Sequence, residues 1–578
     1  MTRTLLYLAI TLPTMITFPT ILSENARLFA DSEVDFNRDI RPILSRQCFS
    51  CHGPDDAARE ADLRLDNAAD AMVERDGHYV IQPSKPGDSE LIARINSNDP
   101  DTLMPPPDSG HKLTDADKQA LHDWIAAGAK YDLHWSFAPP KKAQPTTVKK
   151  TDWPSHPLDH FVLSALEAKN LSPSEPASRY QWLRRVSLDL TGLPPTIEQA
   201  DAFANDSSDN AFETVVDQLL LSRAFGEHWA RMWLDLARYA DTKGYEKDRP
   251  REIWRYRDWV IDALNTDMPF DQFTIEQLAG DLLDDPTTDQ LLATAFHRNT
   301  MTNEEGGTDD EEFRIKAVKD RVDTTMQVWM GLTMGCAKCH SHKFDPISQH
   351  DYYRMFAIFN QTQDSDRGDE SPVVETPTPA YLEQIEVLKN VADEFEERLS
   401  DLPEAVASEL KTELGLLRKS VENRRKSIPK TPVMRELASD KQRETRIHQR
   451  GNFLDKGDLV EPSVTELFGK LPNGAKPNRL GVAQWIMQPD NPLTARVMVN
   501  RVWARLFGTG IVETEEDFGS QGTPPLHPEL LDWLAVDFRE NGWSLKNLLR
   551  TIVLSSTCLL YTSPSPRDAT LSRMPSSA

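Results

Sequence analysis

Residues 35–55 read DFNRDIRPILSRQCFSCHGPD, a short amphipathic stretch that runs directly into two cysteines and a histidine. Ile40, Ile43 and Leu44 recur at helical spacing, so Cys48, Cys51 and His52 stand at the end of a short helical run. The C-x-x-C-H spacing has a chemical reason. Two thiols separated by two residues reach the two vinyl groups of one haem, and the adjacent imidazole lies beneath the iron as proximal ligand. The pattern returns in residues 334–353, MGCAKCHSHKFDPISQHDYY, as Cys336, Cys339 and His340. Random placement of 5 Cys and 14 His over 578 residues gives roughly 0.001 such patterns. Two are not accidental.

A proximal histidine calls for a ligand on the other side of the iron. DTLMPPPDSG, residues 101–110, supplies Met104 ahead of three prolines that hold the loop extended. A loop methionine in polar surroundings lacks a packing role, whereas a thioether on iron raises its potential. KLTDADKQALHDWIAAGAKY, residues 112–131, follows. It predicts a helix that starts at Thr114 with Asp117 in a capping box, buries Leu121, Trp124 and Ile125, and stops at Gly128. His111 and His122 are rivals to Met104, but His111 reads as an ordinary loop residue and His122 lies beside the apolar face.

The second motif brings no such methionine loop. His342 is too close in sequence to reach the opposite face of the same haem. Met355, His350, Met334 and the more distant His297 all remain as distal candidates, and an open sixth position is an alternative to them. A zinc site competes with haem here, but it draws four ligands from a compact set and no second cysteine pair is at hand. A structural disulfide is the third reading.

With 578 residues, 39% of them hydrophobic and 27% charged, the chain exceeds one core and reads as a multidomain globular protein. A net charge of −26 disfavours nucleic acid and favours cationic partners. The apolar run from Leu5 to about Leu22, preceded by Arg3, reads as a signal peptide over residues 1–30, and so as export to the periplasm or beyond. An uncleaved leader would instead anchor the protein to a membrane. Export agrees with covalent haem attachment, which needs reduced thiols outside the cytoplasm.

The pattern along the rest of the chain is mainly helical. A cytochrome c-like helical domain is expected over 32–135, and a Pro/Lys/Thr-rich linker over 136–157. A helical domain over 158–363 contains the second C-x-x-C-H, with a helix predicted from 316 to a stop at Gly335. Trp229, Trp233 and Leu236 are expected in its core, as are the aromatics Trp254, Tyr256 and Trp259, for which stacking on sugar rings is the alternative. TNEEGGTDDEEF, residues 302–313, reads as an acidic loop entering a helix, with a cation site or catalytic carboxylates as the sharper alternative. Residues 381–428 read as a projecting helical hairpin. A further helical domain spans 445–557. The Ser/Pro-rich stretch 558–578 breaks the pattern and is expected to be a disordered, non-native tail, with the preceding domain cut short.

Taken together, DFNRDIRPILSRQCFSCHGPD, the M-P-P motif and LTDADKQALHDWIAAGA resemble the planctomycete-type cytochrome c domain. RRVSLDLTGLPPT, DRPREIWRYRDWVIDALNTDMPFDQF, DRVDTTMQVWMGLTMGCAKCHSHKFDPISQHDYY and NPLTARVMVNRVWARLFGTGIVETEEDFGSQG resemble the two domains of unknown function that accompany it in large exported proteins. The resemblance implies haem c and electron transfer to a periplasmic dehydrogenase or respiratory acceptor, with carbohydrate oxidation as an associated process. It implies no substrate. A haem-dependent oxidoreductase or peroxidase with an open second haem is the enzymatic alternative, and a carbohydrate-binding scaffold with an accessory haem domain is the third class.

Overall fold

The computed structural model describes residues 34–364 and 368–560. The expected signal peptide and residues 561–578 of the expected tail lie outside the described residues. Helix accounts for 53% and strand for 5%, so the mainly α class expected from the periodicity holds. Strands form three two-stranded antiparallel sheets among the described residues.

Two apolar cores organise the chain. The smaller gathers Phe36, Ile40, Ile43, Leu44, Phe49, Leu121, Trp124 and Ile125, and it belongs to the N-terminal unit. Helices α1 (Arg41–Gln47) and α2 (Phe49–His52) meet at Cys48. Pro42 sits in the first turn of α1, where its missing N–H costs nothing. Short α3 (Glu90–Ile95) precedes the Met104 loop, and α4 (Asp115–Ala126) closes the unit. The cap of α4 forms as predicted: Thr114 accepts from the Asp117 N–H and Asp117 reaches back to the Thr114 N–H. Trp124 packs between Phe36 and Tyr131 at centroid distances of 5.5 and 5.1 Å.

The larger core is continuous from Phe137 to Cys558. Segments expected as separate domains over 158–363 and 445–557 both line it. The long helix α5 (Asp310–Met330) contacts α6 (Gln349–Phe359) and α9 (Thr494–Phe507). Arg479, fully buried, pairs with Asp281 and Glu436 at 2.7 and 3.0 Å. The stretch expected as a linker lies along this body, with Lys142 on Asp537 and Glu540 and the Ala138 carbonyl accepting from Arg496. Trp229, Trp233, Tyr256 and Trp259 are buried, and Trp233 and Tyr256 both donate to Gln277 Oε1. Tyr256 and Trp259 form core and not a sugar-stacking surface, while Trp254 of the same group is half-buried with the Arg255 guanidinium 5.5 Å from its ring centroid.

Helix α5 differs from its predicted bounds. It begins at Asp310 on the cap of Asp309, so Asp310, Glu311 and Glu312 form its first turn, where carboxylates are favourable, while Glu304 and Glu305 stay in the loop before it. It stops at Gly331, in the left-handed region at φ 59°, and not at Gly335. The Gly331 carbonyl accepts from Phe518 N–H, and Phe518 and Val497 crowd the position where a Cβ would stand. The expected hairpin is present as α7 (Pro379–Ser400) and α8 (Glu404–Lys426), based on a strand pair β1 (Val373–Glu375) and β2 (Lys430–Pro432). At the C-terminal end packing runs through Leu560. Cys558 is buried, its carbonyl accepts from Arg185, and Leu559 O accepts from Ala177 N–H.

Candidate functional site

The i, i+3 spacing of Cys48 and Cys51 places both thiols on one turn at the α1–α2 junction, with His52 at the end of that turn. Both cysteines are free and half-buried. Burial pushes the Cys48 thiol up to about 12. Burial also pulls the His52 ring below the ordinary histidine value, with nearby Arg94 acting in the same direction. The imidazole is therefore neutral at neutral pH, the form that ligates iron. Its Nδ1 is buried without a partner among the described residues.

Met104 is half-buried on the loop between α3 and α4, and its N–H donates to the Arg94 carbonyl at 3.2 Å. Arg94 thus holds the Met104 loop through its backbone and acts on His52 through its charge. His122 is exposed beside Asp123. His111 is less ordinary than its sequence context indicates, because its Nε2 lies 3.3 Å from Ser50 Oγ, inside the first motif.

The second motif stands on different ground. Cys336 belongs to a 3-10 turn, Met334–Lys338, that follows α5, and Cys339 ends it. Both thiols are free and exposed. His340 Nδ1 lies 2.7 Å from the Ser341 carbonyl and 3.3 Å from Asp55 Oδ2. Both neighbours are acceptors, so Nδ1 carries the proton and Nε2 presents its lone pair. A histidine that donates its other ring N–H to a carbonyl or carboxylate is arranged as metal-ligating histidines are. The residues of both motifs fit haem c. Among the described residues no group of three or more His, Cys, Asp or Glu is placed to hold a metal ion.

Asp55 comes from the first motif's own loop, three residues past His52. The two motifs, 288 residues apart at their histidines, are therefore neighbours in space. Phe344 packs on the N-terminal core, and Gly53 approaches the Lys343 carbonyl so closely that a Cβ there would lie 3.0 Å from it. Ser520 and Gln521 complete the junction through Ser45. His342 is buried and accepts the Asp345 N–H at Nδ1, 2.9 Å away, which fixes the loop.

Of the distal candidates, Met334, Met355 and His297 are packed in the larger core. His297 Nε2 is 3.2 Å from Thr325 Oγ1, and burial drives its ring well below the ordinary value. His350 is exposed on the first turn of α6. Sequence reasoning missed Asp55, although it lies within the quoted first motif, and it missed the loop Gln449–Gly451, where Gly451 at φ 75° brings the chain against Cys339. A Cβ on Gly451 would stand 2.8 Å from Cys339 Sγ. The acidic segment is matched by cations: Glu304 meets Lys243 and Arg249, Glu305 meets Lys247, and Glu311 meets Arg314.

Comparison with known families gives three matches. Residues 48–108 match the family described as Planctomycete cytochrome C, a span that holds Cys48, Cys51, His52 and Met104. Residues 157–364 match the Protein of unknown function family DUF1549, which includes the second motif. Residues 478–574 match the Protein of unknown function family DUF1553, reaching over most of the stretch expected as a tail. No curated protein and no solved structure matches the chain. The chain belongs to the three-domain family in which a planctomycete cytochrome c domain precedes a DUF1549 and a DUF1553 domain.

Proposed function

We propose that this protein is an exported c-type cytochrome that holds haem c covalently at Cys48 and Cys51 and again at Cys336 and Cys339, and exchanges single electrons with a redox partner outside the cytoplasm. Bound haem c supplies a one-electron iron couple. The chain's own residues do the rest. The paired thiols anchor, His52 offers a neutral ring, His340 offers its Nε2, and Met104 offers a thioether on the loop that follows the first motif. Ser341 and Asp55 hold the Nδ1 proton of His340 and so keep Nε2 turned to a metal.

One observation carries the reading: the 3.3 Å approach of Asp55 to His340. It joins the loop of one attachment motif to the histidine of the other, as a unit built for exchange between two sites requires. The partner is a periplasmic dehydrogenase or a respiratory acceptor, and the net charge of −26 favours one with a cationic docking face. Burial of Met334, Met355 and His297 favours a second reading, in which the position opposite His340 is open and the second site does oxidoreductase chemistry.

A haem stain and intact mass of the denatured full chain test the reading. Mass gain for two covalent haems is expected. Gain for one alone removes the two-site account, and gain for none removes the cytochrome reading. Carbon monoxide binding to the reduced protein then separates the two readings, since only an open site takes it up.

A further inference from the structure

A cavity of about 240 Å³ opens between the start of α5, the end of α6 and the strand pair β3 (Thr445–His448) and β4 (Lys456–Val460). Its charged lining is four cations, Arg314, Arg443, Arg446 and Lys456, against two carboxylates, Glu311 and Glu444. That excess of positive charge stands out in a chain of net charge −26. Arg314 is satisfied by Glu311 and Asn360. Arg443 is different. Its guanidinium donates to the carbonyls of Asn360 and Thr362 at 2.7 Å each, and no carboxylate comes within ion-pair distance among the described residues. Lys456 likewise has no ion pair among them.

The same wall holds His448, 4% exposed, with a buried Nδ1 that has no partner among the described residues. A buried unpartnered ring nitrogen beside the half-buried guanidinium of Arg443 is costly, and a bound anion offsets that cost. We propose that this cavity is a binding site for a small oxyanion, a carboxylate or a phosphate, held by Arg443 and Lys456 with His448 as an additional donor. Burial and the nearby Lys319, Lys456 and Arg314 push His448 down to about 4, a field that a bound anion reverses.

The cavity backs onto the second attachment motif. Tyr353 packs on His448 at 5.2 Å and donates to the Lys338 carbonyl at 3.0 Å. Gly451, three residues beyond His448, touches Cys339. The proposal rests on the cavity alone and goes beyond the cytochrome reading, so it holds with or without haem at Cys336 and Cys339.

Calorimetric titration of the full chain with inorganic phosphate, and separately with malonate, tests it, with chloride keeping ionic strength constant. Saturable one-site binding of at least one anion is expected. Arg443→Gln and Lys456→Gln should each weaken it about tenfold, the scale of one charge-assisted hydrogen bond. Which anion binds more tightly distinguishes a phosphate site from a carboxylate site. Lys456 is exposed, so Lys456→Gln keeps the test decisive if Arg443→Gln does not fold. Absence of saturable binding by both anions, or unchanged affinity in the Lys456→Gln protein, overturns the proposal.

Discussion

The two C-x-x-C-H motifs share five residues of pattern and little else. The first is wound into a helix against its own small core, with half-buried thiols and Met104 on an adjoining loop. The second is an exposed turn on the flank of a much larger core, and its surroundings come from elsewhere in the chain: Asp55 from the N-terminal unit and Gly451 from beyond the hairpin. One site is self-contained and the other is completed by its neighbours. A local pattern can therefore nominate both, but only the first carries its environment along with it in the sequence.

The largest expected effect separates the two supports. Trp124→Ala removes the ring between Phe36 and Tyr131 and should cost about 3–5 kcal/mol in the N-terminal unit. Thermal melts of the haem-loaded protein, read by absorbance, should then show the first site lost at a lower temperature while the second persists. Simultaneous loss of both would mean the two regions do not differ in this way.

A smaller effect concerns the joint between the units. His134 is buried, with Nδ1 2.7 Å from Ser136 Oγ, and burial together with Arg41 and Arg496 pushes it down to about 3. Below the ordinary histidine value of about 6.5 the unfolded chain takes up a proton that the folded joint refuses. Stability contributed here is full above that pH and falls as pH drops toward 3, by at most about 1.4 kcal/mol per pH unit. Melting temperature measured from pH 7 to 4 should decline, and His134→Asn should flatten the decline. An identical slope in the variant would remove His134 as its source.

The smallest effect is the most selective. Asp55→Asn takes a carboxylate from the Nδ1 proton of His340 and should raise the midpoint potential of the second site by about 30–60 mV, leaving the first nearly unchanged. Redox titration of the two sites checks it. Equal shifts at both sites would place Asp55 in general electrostatics, not in a bond to His340.

Much of the first site was legible because its parts lie within about eighty residues and obey local rules. The capping box at Thr114, the stop at Gly128 with φ 105°, and the apolar face of Leu121, Trp124 and Ile125 all follow from spacing. The helix before the second motif was misjudged by four residues because two glycines, Gly331 and Gly335, offered the same stop signal. The choice between them is made by tertiary crowding from Phe518 and Val497, which spacing does not record. Asp55, Gly451 and His448 were invisible as partners of the second region for the same reason. Their roles depend on long-range contacts, and each has an unremarkable neighbourhood in sequence. Tyr256 was read as core with a sugar-stacking alternative; its burial and its hydrogen bond to Gln277, shared with Trp233, decide for core.

The central claim is that both motifs carry haem and together form one two-site unit. Proteolysis of the haem-loaded full chain followed by mass spectrometry of the peptides containing residues 48–52 and 336–340 tests it most directly. The account predicts covalent haem on both peptides. A second peptide with free thiols, or with Cys336 and Cys339 joined as a disulfide, would contradict it.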